Sequence, residues 1–175
     1  YTDGPTAPLH PFGYGLSYTA FSIETTSVSV KGPLVDVTVA VKNTGAVCAG
    51  KEVAQVYLSA PEGTLERESQ SLAAFKKTEL LEPGKSQELT LSFDLTDSAA
   101  YDAATASWLL ESGEYLVRVG NSSRNTRIAA VLALDGRAVT RRGTNICPPE
   151  APVEEIAPPH REQATAPNDV PRFSI

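Results

Sequence analysis

Val35, Val37, Val39 and Val41 alternate with Asp36, Thr38, Ala40 and Lys42, so apolar side chains fall on every second residue. That is the period of a strand, because a helix returns to the same face only after three or four residues. A strand of this kind has one buried face and one wet face, as antiparallel sheets provide. The pattern recurs at Phe21 and Ile23, at Val28 and Val30, at Leu89, Leu91, Phe93 and Leu95, and at Tyr115, Val117 and Val119. Residues 52–59 differ. They carry Val53, Ala54, Val56, Tyr57 and Leu58, a run apolar on both faces and suited to a central strand covered on each side, which Gln55 interrupts.

Turn chemistry separates these runs. Gly32-Pro33, Asn43-Thr44-Gly45, Glu82-Pro83-Gly84-Lys85, Glu111-Ser112-Gly113 and Asn121-Ser122-Ser123 are turn signals, Asn and Gly being residues that tolerate positive φ. Residues 72–77 and 127–134 supply two further strands, the second expected to be the last. The alanine-rich stretch 98–107 reads as a crossing connection with room for one helical turn. Residues 60–71, polar and containing Pro61 and Gly63, read as a long loop of the sort that often carries function. Seven or so short strands spaced by turns about ten residues apart predict an all-β, immunoglobulin-like antiparallel sandwich. Without crossover helices a parallel sheet is excluded.

Three parts are expected: a junction segment rich in aromatics, glycine and proline (1–17), the sandwich (18–135) and a proline-rich linker or tail (136–175). Proline removes a backbone donor, so the tail is expected to lie extended over a surface or to be disordered. The 175 residues suffice for one real core, and the chain contains no methionine, so a fragment of a longer protein is expected. A net charge of −6 argues against nucleic acid or anionic membrane as partner. The nearest basic cluster, Arg137, Arg141 and Arg142, reads as a solvated edge. No apolar run approaches the roughly 18 residues of a membrane span, and no signal-peptide pattern opens the chain.

Cys48 and Cys147 are too few for a disulfide scaffold; they pair only if the region around Cys147 folds back, and otherwise stay as two free thiols. Free thiols suit a bacterial cytoplasm, with secretion left open. Neither cysteine has a second ligand at metal spacing, so no metal or other cofactor is expected.

Paired carboxyl groups can serve general acid/base or nucleophilic work, and the pairs near in sequence are Asp94 with Asp97 and Glu111 with Glu114. Both lie in turn signals, where acids serve solvation and local bonding. His10 and His160 each lie beside a proline with no nucleophile matched to them. Tyr14, Tyr18, Trp108 and Tyr115 are the candidates for a sugar-stacking platform. Tyr115 shares the face of Val117 and Val119, however, and a lone Trp in a small sandwich is expected in the core. Asn121-Ser122-Ser123 matches the glycosylation acceptor pattern without further support.

The segment Phe12-Gly13-Tyr14-Gly15-Leu16-Ser17-Tyr18-Thr19 combines aromatics, which bury large areas, with glycines that let backbone approach a neighbour closely. It suits docking of one domain onto another. Extended to Phe21, it resembles the lead-in to the fibronectin type III-like domain of glycoside hydrolase family three, the β-glucosidases and β-xylosidases. Further blocks fall in that family's order: Val39 to Gly45 with Gly50 to Leu58, Leu72 to Lys77 with Leu81 to Ser86, and Tyr101-Asp102, Trp108, Gly113-Glu114-Tyr115, Val119-Gly120 and Ser122-Ser123-Arg124. Two features depart from the pattern: Ala74 stands where the family usually has glycine before Phe75, and residues 66–71 lack its usual proline.

The resemblance implies a non-catalytic module, since the family's nucleophile and acid/base belong to its barrel and α/β-sandwich domains. Those domains are the implied partners, with Phe12, Tyr14, Leu16 and Tyr18 carrying the contact. It also implies that loop 61–71 can reach oligosaccharide substrate, as in some relatives, and that residues 136–175 lead into a following barrel, as in rearranged members. The alternative is an independent carbohydrate-binding or adhesive fibronectin-like module. Titration with cello- and xylo-oligosaccharides separates the two, the docking reading expecting no binding by the isolated domain.

Overall fold

A computed structural model describes residues 8–146 and 165–175. In chain order the strands are β1 (Phe21–Lys31), β2 (Leu34–Asn43), β3 (Val53–Ser59), β4 (Ser71–Lys77), β5 (Ser86–Asp94), β6 (Ala100–Asp102), β7 (Ser107–Leu110), β8 (Gly113–Ser122), β9 (Asn125–Leu134), β10 (Ala138–Arg142) and β11 (Arg172–Ser174). One sheet has the order β1-β2-β5 and faces a second of order β11-β9-β8-β3-β4, while β10-β7-β6 form a third, smaller sheet. The all-β sandwich expected from the alternation is thus the observed architecture.

The core sits between the two larger sheets. Val35, Val37, Val39 and Val41 are buried from β2, and Leu89, Leu91 and Phe93 follow from β5 in register beside them. Ala54, Val56, Leu58, Tyr115, Val117 and Val119 meet them from the opposite sheet. Each such side chain contributes on the order of 2 kcal/mol when fully buried. Leu110 of the third sheet joins the same cluster, with Ala99 and Ala138 packed against it.

Two turns use glycine as the sequence suggests. Gly32 has φ +59 in the β1–β2 connection, and Gly84 has φ +76 after Pro83, where the Lys85 amide donates to the Glu82 carbonyl at 3.0 Å. Asn43 and Gly45 do not adopt positive φ. Asn43 instead ends β2 fully buried, its side chain accepting from the Thr19 hydroxyl (2.6 Å) and the Gly45 amide (3.0 Å) and donating to the Cys48 and Leu81 carbonyls (both 2.9 Å). All four bonding positions of this amide are filled, as burial demands.

Several expectations are corrected. The helical turn lies at Leu95–Ser98, a 3₁₀ turn ahead of the alanines, because Asp94 caps it by accepting from the Thr96 amide at 2.8 Å and hydroxyl at 2.7 Å. The alanine-rich stretch continues into β6. Beyond residue 135 the chain is not only a linker: β10 pairs antiparallel with β7, and β11 pairs parallel with the edge of β9. A parallel pair needs a long connection rather than a helix as such, and the chain between β9 and β11 supplies it. Pro171 fits because its carbonyl is what the sheet uses, accepting from the Val131 amide at 3.0 Å. Ala166 and Val170 then cover Leu116, Val131 and Ile128 on the outer face of the five-stranded sheet. The region around Cys147, His160 and most of the tail's prolines lies outside the described residues.

Candidate functional site

β3 is buried on both faces. Its inner residues Ala54, Val56 and Leu58 meet the core, and its outer residues Gln55, Tyr57 and Ser59 are buried too. The aromatic lead-in segment helps cover that outer face, and Gln55 is the reason it sits there. The Gln55 amide donates to the carbonyls of Gly13 (3.3 Å) and Asn121 (2.7 Å), while its oxygen accepts from the Tyr57 hydroxyl at 2.6 Å. Gly13 has φ +80, a conformation that favours glycine, and a Cβ there would stand 2.2 Å from the Gln55 side-chain oxygen, so any other residue would also displace Gln55. Burial pushes the Tyr57 phenol above its ordinary pKa, keeping it a neutral donor to Gln55.

The Phe12 carbonyl accepts from the Ser123 amide at 2.9 Å, and the Tyr14 amide closes a turn on the Pro11 carbonyl at 3.0 Å. At the far end, Thr19 is bonded to Asn43, and the Ala20 carbonyl accepts from the Thr44 amide at 2.8 Å. The backbone is clamped near residues 12–14 and 19–20, and the side chains between point outward. Phe12 is 65%, Tyr14 49%, Leu16 89% and Tyr18 98% exposed. His10 stacks on Tyr14 with ring centroids 5.5 Å apart, extending the row. Four large apolar side chains are thus exposed within one short stretch held at both ends.

The long loop between β3 and β4 is irregular but pinned. The Glu111 carboxylate accepts from the Thr64 amide and hydroxyl, each at 2.7 Å, and from the Leu65 amide at 3.2 Å. Gly63 passes so close that an added Cβ would lie 2.1 Å from that carboxylate, and Gly113, at φ +134, leaves room for Pro61. Burial opposes the charged form of Glu111, but the three bonds from Thr64 and Leu65 outweigh it and hold its carboxyl below the ordinary range. Arg67 donates to the Ser98 carbonyl, and Gln70 to the Ser123 carbonyl. Loop and lead-in segment therefore meet at one residue, Ser123, which bonds each through its backbone.

Three of the four sequence-suggested carboxylates are assigned to separate structural tasks. Glu111 holds the loop, Glu114 pairs with Arg172, and Asp94 caps the 3₁₀ turn. Asp97 lies on that turn beside Asp94, both lining one groove with loop residues 66–68. Of the aromatic candidates, Tyr115 is fully buried and its hydroxyl donates to the Glu111 carbonyl at 2.9 Å. Trp108 is not in the core: it stands 37% exposed on the third sheet beside Tyr101 and Arg141. The Asn121 side chain is engaged, donating to Glu52 at 3.3 Å and accepting from Asn125 at 2.8 Å. Among the described residues no cluster of His, Cys, Asp and Glu could hold a metal ion. None of their helices is long and apolar enough to cross a membrane.

Residues 52–123 match the fibronectin type III-like domain family. A β-glucosidase of Kluyveromyces marxianus is 43% identical over 114 residues, which are 65% of this chain and 13% of that enzyme. A β-glucosidase of Ruminococcus albus is 36% identical over 151 residues, 83% of this chain and 16% of the relative. Among solved structures, β-glucosidase 3B of Thermotoga neapolitana in complex with glucose superposes with a TM-score of 0.72 at 41% identity, over 79% of this chain and 19% of that one. The chain therefore spans less than a fifth of each of these enzymes. Residues 52–123 are thus similar to a fibronectin type III-like domain, and the chain aligns with one part of these β-glucosidases.

Proposed function

We propose that this sandwich is a non-catalytic brace within a β-glycosidase that removes terminal β-linked sugars, β-glucosidase being the leading reading. Phe12, Tyr14, Leu16 and Tyr18 dock it onto the catalytic barrel and α/β-sandwich domains of the parent enzyme. The observation that supports this is the clamped backbone from which all four side chains stand exposed. Burying one large apolar side chain contributes about 1.5–3 kcal/mol, so a row of four can fix the relative placement of domains. The loop at residues 61–71, pinned to Glu111, Ser98 and Ser123, is held stiffly enough to line the rim of a neighbouring active site.

An independent module fits less well, because it would leave that apolar row in water. The test is a paired substitution, Phe12→Ala with Tyr14→Ala, in the complete enzyme. The brace reading expects a lower melting temperature or lower glucosidase activity. Unchanged values for both overturn it.

A further inference from the structure

The strand β7 runs between β10 and β6, and its register puts Arg141 and Tyr101 directly beside Trp108 on either side. Trp108 and Tyr101 are 37% and 40% exposed, with ring centroids 5.5 Å apart and planes tilted by 53°. The Arg141 guanidinium lies over the indole, 5.3 Å from its centroid. Strand spacing of about 4.8 Å makes this a row about 10 Å across, standing on a hydrogen-bonded sheet. The neighbours on both sides limit the indole's freedom, so the platform is ordered before any ligand arrives.

Next to it is a depression of about 290 Å³ lined by Thr96, Asp97, Ala99, Trp108, Thr140 and Arg141. That is near the lower end of the roughly 300–1,000 Å³ of small-molecule sites. Among the described residues, the Asp97 carboxylate and the Arg141 guanidinium have no hydrogen-bond partner. The depression thus offers a partly exposed aromatic ring, a free acceptor and a free bidentate donor within one wall. Apolar ligands have no use for the charges, and simple ions have no use for the rings.

We propose that this platform binds a β-linked gluco- or xylo-oligosaccharide at a site separate from the docking row. Pyranoses with equatorial hydroxyls present axial C–H bonds on their flat faces and hydroxyl pairs at their rim. The faces stack on Trp108 and Tyr101, while vicinal hydroxyls donate to Asp97 and accept from Arg141. The expectation that the isolated domain binds no sugar assumed a buried Trp108, and the exposed indole removes that assumption. The choice of a β-linked sugar rests on the proposed parent activity.

The chain has a single tryptophan, so its intrinsic fluorescence reports on this site alone. The 175-residue chain is titrated with cellotetraose and, separately, with xylotetraose. A small ligand on an open platform is expected to bind with a Kd on the order of 1 mM. The emission changes saturably with at least one sugar, Tyr101→Ala and Asp97→Asn each weaken binding at least tenfold, and Phe12→Ala with Tyr14→Ala leaves it unchanged. If neither sugar alters the emission while acrylamide still quenches Trp108, the site does not exist. Quenching in the isolated chain that is lost in the complete enzyme without sugar also overturns the proposal, and assigns the platform to a domain contact. These readouts are independent of the docking test, so either reading can fail alone.

Discussion

The two faces of the five-stranded sheet are buried by different means. The inner face is closed by residues that repeat every second position, Val56 and Leu58 from β3 against Val35 to Val41 and Leu89 to Phe93. The outer face is closed by segments without regular structure, the lead-in anchored by Gln55 and residues 166–170 packed on Leu116 and Val131, while the long loop beside the sheet is held by Glu111, Arg67 and Gln70. The first kind of burial is redundant and non-directional. The second depends on single side chains, because a buried group left unsatisfied costs more than its bond contributed net. A fold built this way keeps a robust interior and places its irregular segments by a few single contacts.

The largest effect is expected from the inner face. Leu91→Ala should destabilise the chain by about 2–5 kcal/mol in denaturant unfolding, with all strands lost in one transition. A loss far below 1 kcal/mol would show that the interior is not the dominant source of stability.

Gln55→Leu should cost about 1–3 kcal/mol, since it orphans the Tyr57 hydroxyl and the Gly13 and Asn121 carbonyls. Its distinguishing mark is local. Amide exchange should rise at residues 12–19 and in the β8–β9 turn while the inner strands stay protected, and uniform loosening would erase the contrast between the faces.

Glu111→Gln should cost about 1 kcal/mol and make residues 61–71 susceptible to proteolysis, because an amide cannot accept all three bonds with the strength of a carboxylate. The same anchor makes loop order pH-dependent. The folded pKa lies below the ordinary value, so this stabilisation is complete above roughly pH 5 and fades as the pH falls through and below about 4.3. Proteolysis of the loop that is insensitive to acid would contradict this.

The smallest effect on the isolated chain belongs to the docking row. Phe12→Ala with Tyr14→Ala should change its stability by no more than about 0.5 kcal/mol, because these side chains touch little within it.

The inner face was legible from alternation alone, since burial on one side of a strand imposes a period of two. The outer face was not. Gln55 read as an interruption because its partners at Gly13 and Asn121 are 42 and 66 positions away. Trp108 precedes two leucines, so no alternation told which of the three faces out; its cross-strand neighbours Tyr101 and Arg141 decide it. The strands β6, β10 and β11 have three to five residues each, too short for a period to show, and β11 was also masked by proline-rich flanks. Phe12, Tyr14 and Tyr18 were legible as a cluster of aromatics, but their exposure depends on the backbone held at Gln55 and Ser123.

Hydroxyl-radical labelling of Tyr14 and Tyr18, compared between the isolated chain and the complete parent protein, tests the docking role most directly. Strong labelling of both in the isolated chain and protection in the parent is the predicted result. Equal labelling in the two would mean that no domain covers these rings, and the brace would have nothing to hold.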